Sequence, residues 1–453
     1  MKVQVLKNGV FTYPAGEELS ASDVMSFVSK NKELAEKYHK YMDYYVGKHA
    51  ILEKPNTITG EPVKIVDNVP KYLVDTYNGY FTGIEPKITL DDTTANDNLQ
   101  NWNNDTSIFD KLSELSKQVD VYGRSYLFVY QDDDGNTCVT VAKPTHSFIV
   151  YDNTVSQKPI CFVTYGKNSD GLLVATVYYA THVVDVINDQ LREHPFDNNN
   201  LKDGINVYGQ VPAVEFYETT ERQSLYGAGT LTLIDALDDT LSQKLDNINY
   251  IANSYMYLLG AKVDDQDLAQ FFKNRFINAA GADAKDLQIG FLQRPDGDNL
   301  EEHMIKHLTD AIHQNTGIPD LRDEAFGGNV SGIAIRYKLM SMSNRAMNKE
   351  RKFKYGLKKL YKVVFSSITN VGVSEDDWSN LKFKFTRNIP TNLADEASIA
   401  SSLKGIVSDE TLLSVLSIVD DPKAELERIN DEQKSQLTRA LNATDSELNN
   451  DEQ

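Results

Sequence analysis

The chain has 453 residues, 41% hydrophobic and 10% aromatic, with 66 Asp and Glu against 46 Lys and Arg for a formal net charge of −20. That length allows a large core shared among roughly two to four domains or subdomains, and the acidic balance excludes a surface built to wrap nucleic acid. Cys138 and Cys161 are the only cysteines, the N-terminus has no apolar signal core, and no window approaches the ~20 apolar residues of a membrane span, so a soluble protein of a reducing cytoplasm is expected.

In chain order, the first helix is predicted over 20–45, with Val24, Phe27, Val28, Leu34, Tyr38, Tyr41 and Tyr45 near one face and Ser22 as its cap. A loop rich in Pro, Thr and Gly follows. A second helix is predicted over 70–81, with Pro70 tolerated in its first turn, and a third over 96–121, ending before Gly123. From Arg124 to Tyr217, runs such as SYLFVY, CVTVA and ICFVTY alternate with DDDGN, GKNSDG and DNNNLKDG, the texture of an antiparallel β-rich subdomain. No fixed period recurs, which argues against a solenoid.

Helix returns at Gly229. Leu237, Leu241, Leu245, Ile248, Ile251 and Tyr255 form an apolar stripe, and Asp235, Asp239, Ser242, Asp246, Asn249 and Asn253 run down the other side. In a monomer the acidic side is a solvated face. In a ring lined by such helices it would stack acidic rings around a channel and repel a polyanion from all sides. Residues 260–297 read as a compact insert, with a short helix from Asp264 and a strand in LQIGFLQ, and 299–315 returns as a helix.

The segment Thr316–Leu339, TGIPDLRDEAFGGNVSGIAIRYKL, lies between two helical stretches. Gly317 and Pro319 end the helix before it, Gly327, Gly328 and Gly332 loosen it, and Asn329 or Ser331 can cap the helix after it. A charged, Gly-rich loop with a single large aromatic, Phe326, reads as a moving or gating part. The helix over 331–368 carries an apolar stripe through Met342, Ala346, Phe353, Leu357, Leu360 and Val364, and concentrates positive charge, including Arg345, Lys349 and Lys352. Those cations can meet DNA phosphates or the acidic surfaces of neighbouring elements or subunits. LKFKFTRNIP alternates as a strand, 393–430 gives short helices with Asp409 as a cap, and the polar, acidic end is expected to be frayed or disordered.

Catalytic motifs are missing. There is no G-x-x-x-x-G-K-[ST] loop and no G-x-S-x-G elbow, and Tyr226–Thr230 lacks the dinucleotide fingerprint and reads as a turn into a helix. His303 and His307 lie four apart, but EEHMIKH is not the zinc-peptidase motif, and solvated helix histidines account for them. Acid pairs such as Asp238–Asp239 and Asp376–Asp377 arise freely among 66 acids. No enzyme, metal or cofactor is expected.

Two blocks carry a resemblance. PDLRDEAFGGNVSGIAIRYKL resembles the tunnel-loop region of tailed-phage portal proteins of the type found in siphophages of Gram-positive hosts. Upstream, Tyr44, Tyr45, Gly47, His49, Ile51, Leu52, Asn68, Pro70, Val74, Asp75, Gly79, Tyr80 and Gly83 match that family's YYxGxHxIL-like opening and N-x-P-x-x-[IV]-V-D-x-x-x-G-Y-x-x-G-like helix, in the family's order. The resemblance covers roughly Ala21 to Asp421.

It implies an α+β portal-type subunit with long stem helices, a β-rich wing and a small α/β clip, assembling into a ring, typically of twelve copies. The implied parts are a wing at 1–229 and 331–389, stem helices at 230–259 and 299–317, a clip at 260–298, a tunnel loop at 318–330, a crown at 390–430 and an acidic tail at 431–453. Double-stranded DNA would pass the tunnel-loop residues Asp320, Arg322, Asp323, Glu324, Phe326, Gly327, Gly328 and Asn329, and the acidic stem face Asp235, Asp239, Asp246 and Asn249. The implied partners are the terminase large subunit, a head–tail adaptor, and the major capsid and scaffolding proteins, with no membrane. The implied location is the unique capsid vertex of the virion, after assembly in the host cytoplasm. From a different class, a metal-dependent nucleic-acid-processing hydrolase is the alternative, and a tail adaptor would be a much shorter chain.

Overall fold

The structure is a computed structural model that describes residues 2–56, 61–195, 203–252, 256–259, 288–291, 298–322, 332–366, 371–389, 393–416, 418–419 and 422–448. Its helices and strands are mixed along the chain as an α+β fold. The chain divides into two compact units, Met1–Arg387 and Asn388–Gln453.

In the first unit, α1 (Ala21–Tyr45) starts at Ser20, not Ser22. The Ser20 hydroxyl accepts the Asp23 N–H and the Asp23 carboxylate accepts the Ser20 N–H, a reciprocal cap. The face carrying Val24, Phe27 and Val28 is buried, and the Phe27 ring packs at 5.5 Å from Phe11 and 6.3 Å from Phe148. Those partners belong to a seven-stranded sheet. Its strands, in spatial order, are β1 (Gln4–Val5), β2 (Phe11–Tyr13), β6 (Ser147–Asp152), β7 (Pro159–Lys167), β8 (Leu173–Tyr179), β9 (Val183–Ile187) and β10 (Gln190–Glu193).

All the pairings in this sheet are antiparallel except β2 with β6. The two-residue period sends Cys161, Val163, Ala175 and Val177 toward α1. Phe162 lies on the opposite face, where it packs with Tyr126. Tyr126 comes from a second sheet of three strands, β4 (Ser125–Gln131) between β11 (Ala213–Phe216) and β5 (Thr137–Ala142).

Arg124 ties the N-terminal hairpin to this body by donating to the carbonyls of Asn8 and Gly9. It shares the buried Glu215 with Arg222, whose Nε and Nη2 each donate to it at 3.0 Å. Burial alone would push the Glu215 carboxyl up, but the two guanidiniums hold it below the usual carboxylate range.

Three helices follow in the chain, α2 (Val69–Thr82), α3 (Thr93–Asp105) and α4 (Ile108–Tyr122), of which α4 packs on α1, β4 and β5 while α2 and α3 pack on α4. The Asn68 side chain accepts the Lys71 N–H to cap α2, and Pro70 sits in the first turn. The predicted single helix over 96–121 is two helices. Thr106 Oγ1 bonds back to the Trp102 carbonyl at 2.8 Å, and Ser107 takes a left-handed φ of 50°, which turns the chain. Gly123 then switches α4 into β4 at φ +86°, with a Cβ there falling 2.3 Å from the Arg222 carbonyl oxygen. β3 (Lys87–Thr89) pairs with β14 (Lys382–Lys384).

The helix that the sequence places after Gly229 is α5 (Ala228–Ala252). It stops short of the predicted Leu259: Met256–Leu259 is β12, paired antiparallel with β13 (Gln288–Phe291). The chain returns as α6 (Asp298–Thr316). The long basic helix is α7 (Gly332–Lys338) followed by α8 (Met340–Val364), which buries Met342, Ala346, Phe353, Leu357, Leu360 and Val364.

The second unit contains α9 (Leu393–Leu403), α10 (Asp409–Val415), capped by the Ser408 hydroxyl rather than by Asp409, and α11 (Pro422–Leu448). The tail expected to fray from 431 is therefore helical as far as Leu448.

Candidate functional site

α5 and α6 form an antiparallel helical hairpin. Gly227–Thr230 and Gln314–Gly317 line one crevice at its base, while Lys244 pairs with Glu302, and Asn247 with Glu301, farther along. Near the base the buried face of α5 is Leu231, Ile234, Leu237, Asp238 and Ser242. Farther out Leu245 is 37% exposed, Ile248 52%, Leu300 73% and Met304 48%, so one chain leaves this apolar surface uncovered.

The base of α5 is held by polar contacts from the segment after α1. The Asp238 carboxylate sits 2.6 Å from His49 Nδ1, with both side chains fully buried, and accepts the Asp67 N–H at 2.9 Å. His49 Nε2 faces the Tyr44 carbonyl at 3.1 Å, and the Tyr44 ring stacks on the imidazole at 4.7 Å. Burial, with neighbouring Asp238 adding to it, pushes the Asp67 carboxyl up despite Arg322 nearby. Ser242 Oγ accepts the Ile65 N–H at 3.0 Å.

Of the stem residues singled out from sequence, Asp235 accepts the Tyr44 hydroxyl at 2.5 Å and Asp239 pairs with Lys54 at 2.5 Å. Asp246 and Asn249 are exposed. The four do not form one uniformly solvated face, because Tyr44 and Lys54 claim the first two. Asp238 and Asp239, adjacent acids in an acid-rich chain, are not a pair in function. In the structure the two point to separate partners, His49 and Lys54.

A second ionic cluster lies under α8. Of the partners open to Lys349 (DNA phosphates, or acidic surfaces of neighbouring elements or subunits), the structure gives it an acid of a neighbouring element in the same chain, and the side chain is completely buried. Its Nζ donates to both Asp120 oxygens, at 2.7 and 2.8 Å, and to the Ser116 carbonyl at 3.3 Å, beneath the Tyr77 ring at 4.7 Å. Burial pushes the Asp120 carboxyl up to about 6, opposed by Lys349, and lowers the Lys349 ammonium, opposed by Asp120. One turn earlier Arg345 lies 2.6 Å from Glu218, and its Nη1 donates to the Thr316 carbonyl at 2.9 Å. Lys352 is half-buried over the Tyr217 ring at 5.5 Å. Two of the three basic candidates thus pair with acids of their own chain, and none of the three is fully exposed.

At the end of α6, Gly317 turns the chain with φ +70°, and Ile318 is buried. Asp320 accepts from the Arg322 backbone N–H at 3.0 Å and from its Nε at 3.1 Å. Burial pushes the Asp320 carboxyl up, but the Arg322 hydrogen bonds outweigh it and keep the carboxyl low. Asp323, Glu324, Phe326, Gly327, Gly328 and Asn329 lie outside the described residues, as does 260–287 of the expected clip.

His303 and His307 are exposed, and among the described residues no group of three His, Cys, Asp or Glu could hold a metal ion. No described helix is long and apolar enough to cross a membrane.

Buried ion pairs lock the elements together, and the helical hairpin carries exposed apolar side chains. Residues 27–438 match the phage portal protein family of the SPP1 Gp6-like type, and the chain belongs to that family. It is 23% identical over 408 residues to the portal protein of Bacillus phage SPP1, covering 84% of this chain and 78% of that one. The protein is therefore a portal protein, a structural and non-enzymatic component of the phage capsid, and the hydrolase alternative is set aside.

Proposed function

We propose that copies of this chain close into a ring, of twelve subunits in the virion, at the unique capsid vertex, and that double-stranded DNA passes along its axis during packaging and ejection. The stem is the α5–α6 hairpin within 230–259 and 299–317. Its tip, 260–298 with β12 and β13 at its edges, is the clip, which docks the terminase large subunit and then the head–tail adaptor. The tunnel loop is 318–330, the wing is 1–229 with 331–389, and the crown is 390–430, with 431–453 trailing from it. Major capsid and scaffolding proteins hold the ring in the shell, after assembly in the host cytoplasm.

The observation that supports this reading most is the exposed apolar flank of the stem, Leu245, Ile248, Leu300 and Met304. A neighbouring copy in a closed ring would cover it. Net charge −20 then works in favour of passage, since an acidic lumen repels phosphate from every side and DNA slides rather than sticks.

Within the loop, Phe326 and the charged Arg322, Asp323 and Glu324 would meet the duplex, and Gly327 and Gly328 would let each loop shift as the grooves pass. Replacing Phe326, Gly327 and Gly328 together is expected to leave ring assembly intact and impair packaging of DNA into capsids. Normal packaging by that variant would refute the loop's role.

A further inference from the structure

The chain leaving α6 is fastened to α2 through Tyr72 and His313, which neither the family match nor the sequence singled out. Tyr72 lies on α2, and its hydroxyl accepts the Leu321 N–H at 2.8 Å. The same ring carries the Arg322 guanidinium 5.2 Å from its centroid, and meets the His313 ring edge-on at 6.0 Å. One phenol thus touches both the last turn of α6 and the residues after it.

His313 faces that segment with both ring nitrogens. Its Nδ1 is 2.8 Å from the Ile318 carbonyl oxygen. A carbonyl only accepts, so Nδ1 carries a proton, and in a neutral ring Nε2 presents a bare lone pair. That Nε2 is buried without a hydrogen-bond partner, on a side chain only 10% exposed, with the Asp320 carboxylate 3.9 Å away.

The other charged groups around this corner are already engaged. Arg322 donates to both oxygens of Asp320, including the Oδ2 that faces His313, and feels Asp67 from the segment before α2. Glu218 and Arg345 pair with each other, and Arg345 also takes the Thr316 carbonyl.

We propose that Tyr72 and His313 are positioning residues that fasten 317–322 to α2, Tyr72 through the Leu321 N–H and the Arg322 guanidinium, and His313 by donating its Nδ1–H to the Ile318 carbonyl. The bearing of this corner on DNA passage rests on the tunnel-loop reading; the fastening itself does not.

Amide hydrogen exchange at Leu321 tests it, because Tyr72 is the acceptor of that N–H. Y72F should lower the Leu321 protection factor, corrected for intrinsic exchange, by about tenfold, the loss of one hydrogen bond, and H313A should lower it by a smaller factor. The Gly123 amide, bonded to the Val119 carbonyl away from the corner, should keep its protection in both variants. Unchanged Leu321 protection in Y72F, or in H313A, would overturn the proposal. Loss of protection in Y72F with undiminished DNA packaging would support the fastening and count against the tunnel-loop reading instead.

Discussion

Replacing Lys349 with Met leaves the Asp120 carboxylate buried, with the Ser116 carbonyl and the faces of Tyr77, Phe81 and Phe353 around the space its partner filled. Breaking a buried pair in this way costs about 3–5 kcal/mol at neutral pH, because the surviving charge has lost its compensation. The cost depends on pH in a direction the structure fixes. Asp120 already sits raised at about 6 with the lysine present. Its folded value therefore lies above its unfolded one, the folded state holds the extra proton between them, and this group's contribution declines as pH rises through that window. Without the lysine, only Arg345 still opposes desolvation and the window extends upward. The K349M penalty should then shrink as pH falls, by up to about 1.4 kcal/mol per unit while Asp120 takes up its proton.

The double variant D120N/K349M removes both charges and should recover most of the loss. Urea midpoints followed by tryptophan fluorescence give the values, since Trp102 is buried against Tyr361 on α8, 5.7 Å between rings. A K349M loss below about 1 kcal/mol, or one that grows with acidification, would refute the reasoning, because an unpaired buried carboxylate cannot behave so.

Other consequences are simpler to measure. Glu215→Gln leaves Arg124 and Arg222 buried together without their anion, and should cost about 3 kcal/mol or more at neutral pH. Because the folded Glu215 value is depressed, its contribution is complete above the unfolded value and is lost as pH falls through the folded one, so the variant should show a shallower acid limb in urea titrations. Gly317→Ala should cost about 1–2 kcal/mol from the left-handed backbone. Its Cβ would lie 2.7 Å from Ser341 Oγ, so adding S341A should relieve that contact and leave the backbone part of the penalty. Leu245→Ser with Ile248→Ser should cost the single chain only about 1–2 kcal/mol, from partial burial and helix propensity, yet abolish ring assembly in sedimentation.

Much of the first unit can be read from its residues. Pro70 and Asn68 bracket the start of α2, and the apolar spacing of α8 gives its buried face. Lys349 was legible by the same rule, since it falls three after Ala346 and four before Phe353, on the stripe itself. A cation at a stripe position signals a buried partner, but nothing in the sequence says that Asp120, 229 residues away, supplies it. The base of α5 misleads for a related reason. Its buried face is partly polar, with Asp238 and Ser242 facing His49 and Ile65, so the hydrophobic pattern alone rotates the helix toward Leu241 and Leu245. β1 and β2 are too short for periodicity to register, and MYLL is apolar enough to read as the continuation of a helix. The corner at Tyr72 and His313 depends on chain crossing in space, which spacing does not encode.

Electron micrographs of the purified chain, sorted into end-on views, test the central claim most directly. The account predicts closed rings of uniform rotational symmetry around an open centre, lost when Leu245 and Ile248 are both replaced by Ser. A chain that remains monomeric across concentrations and in the presence of scaffolding protein, or one that grows into open filaments without closing, would contradict it.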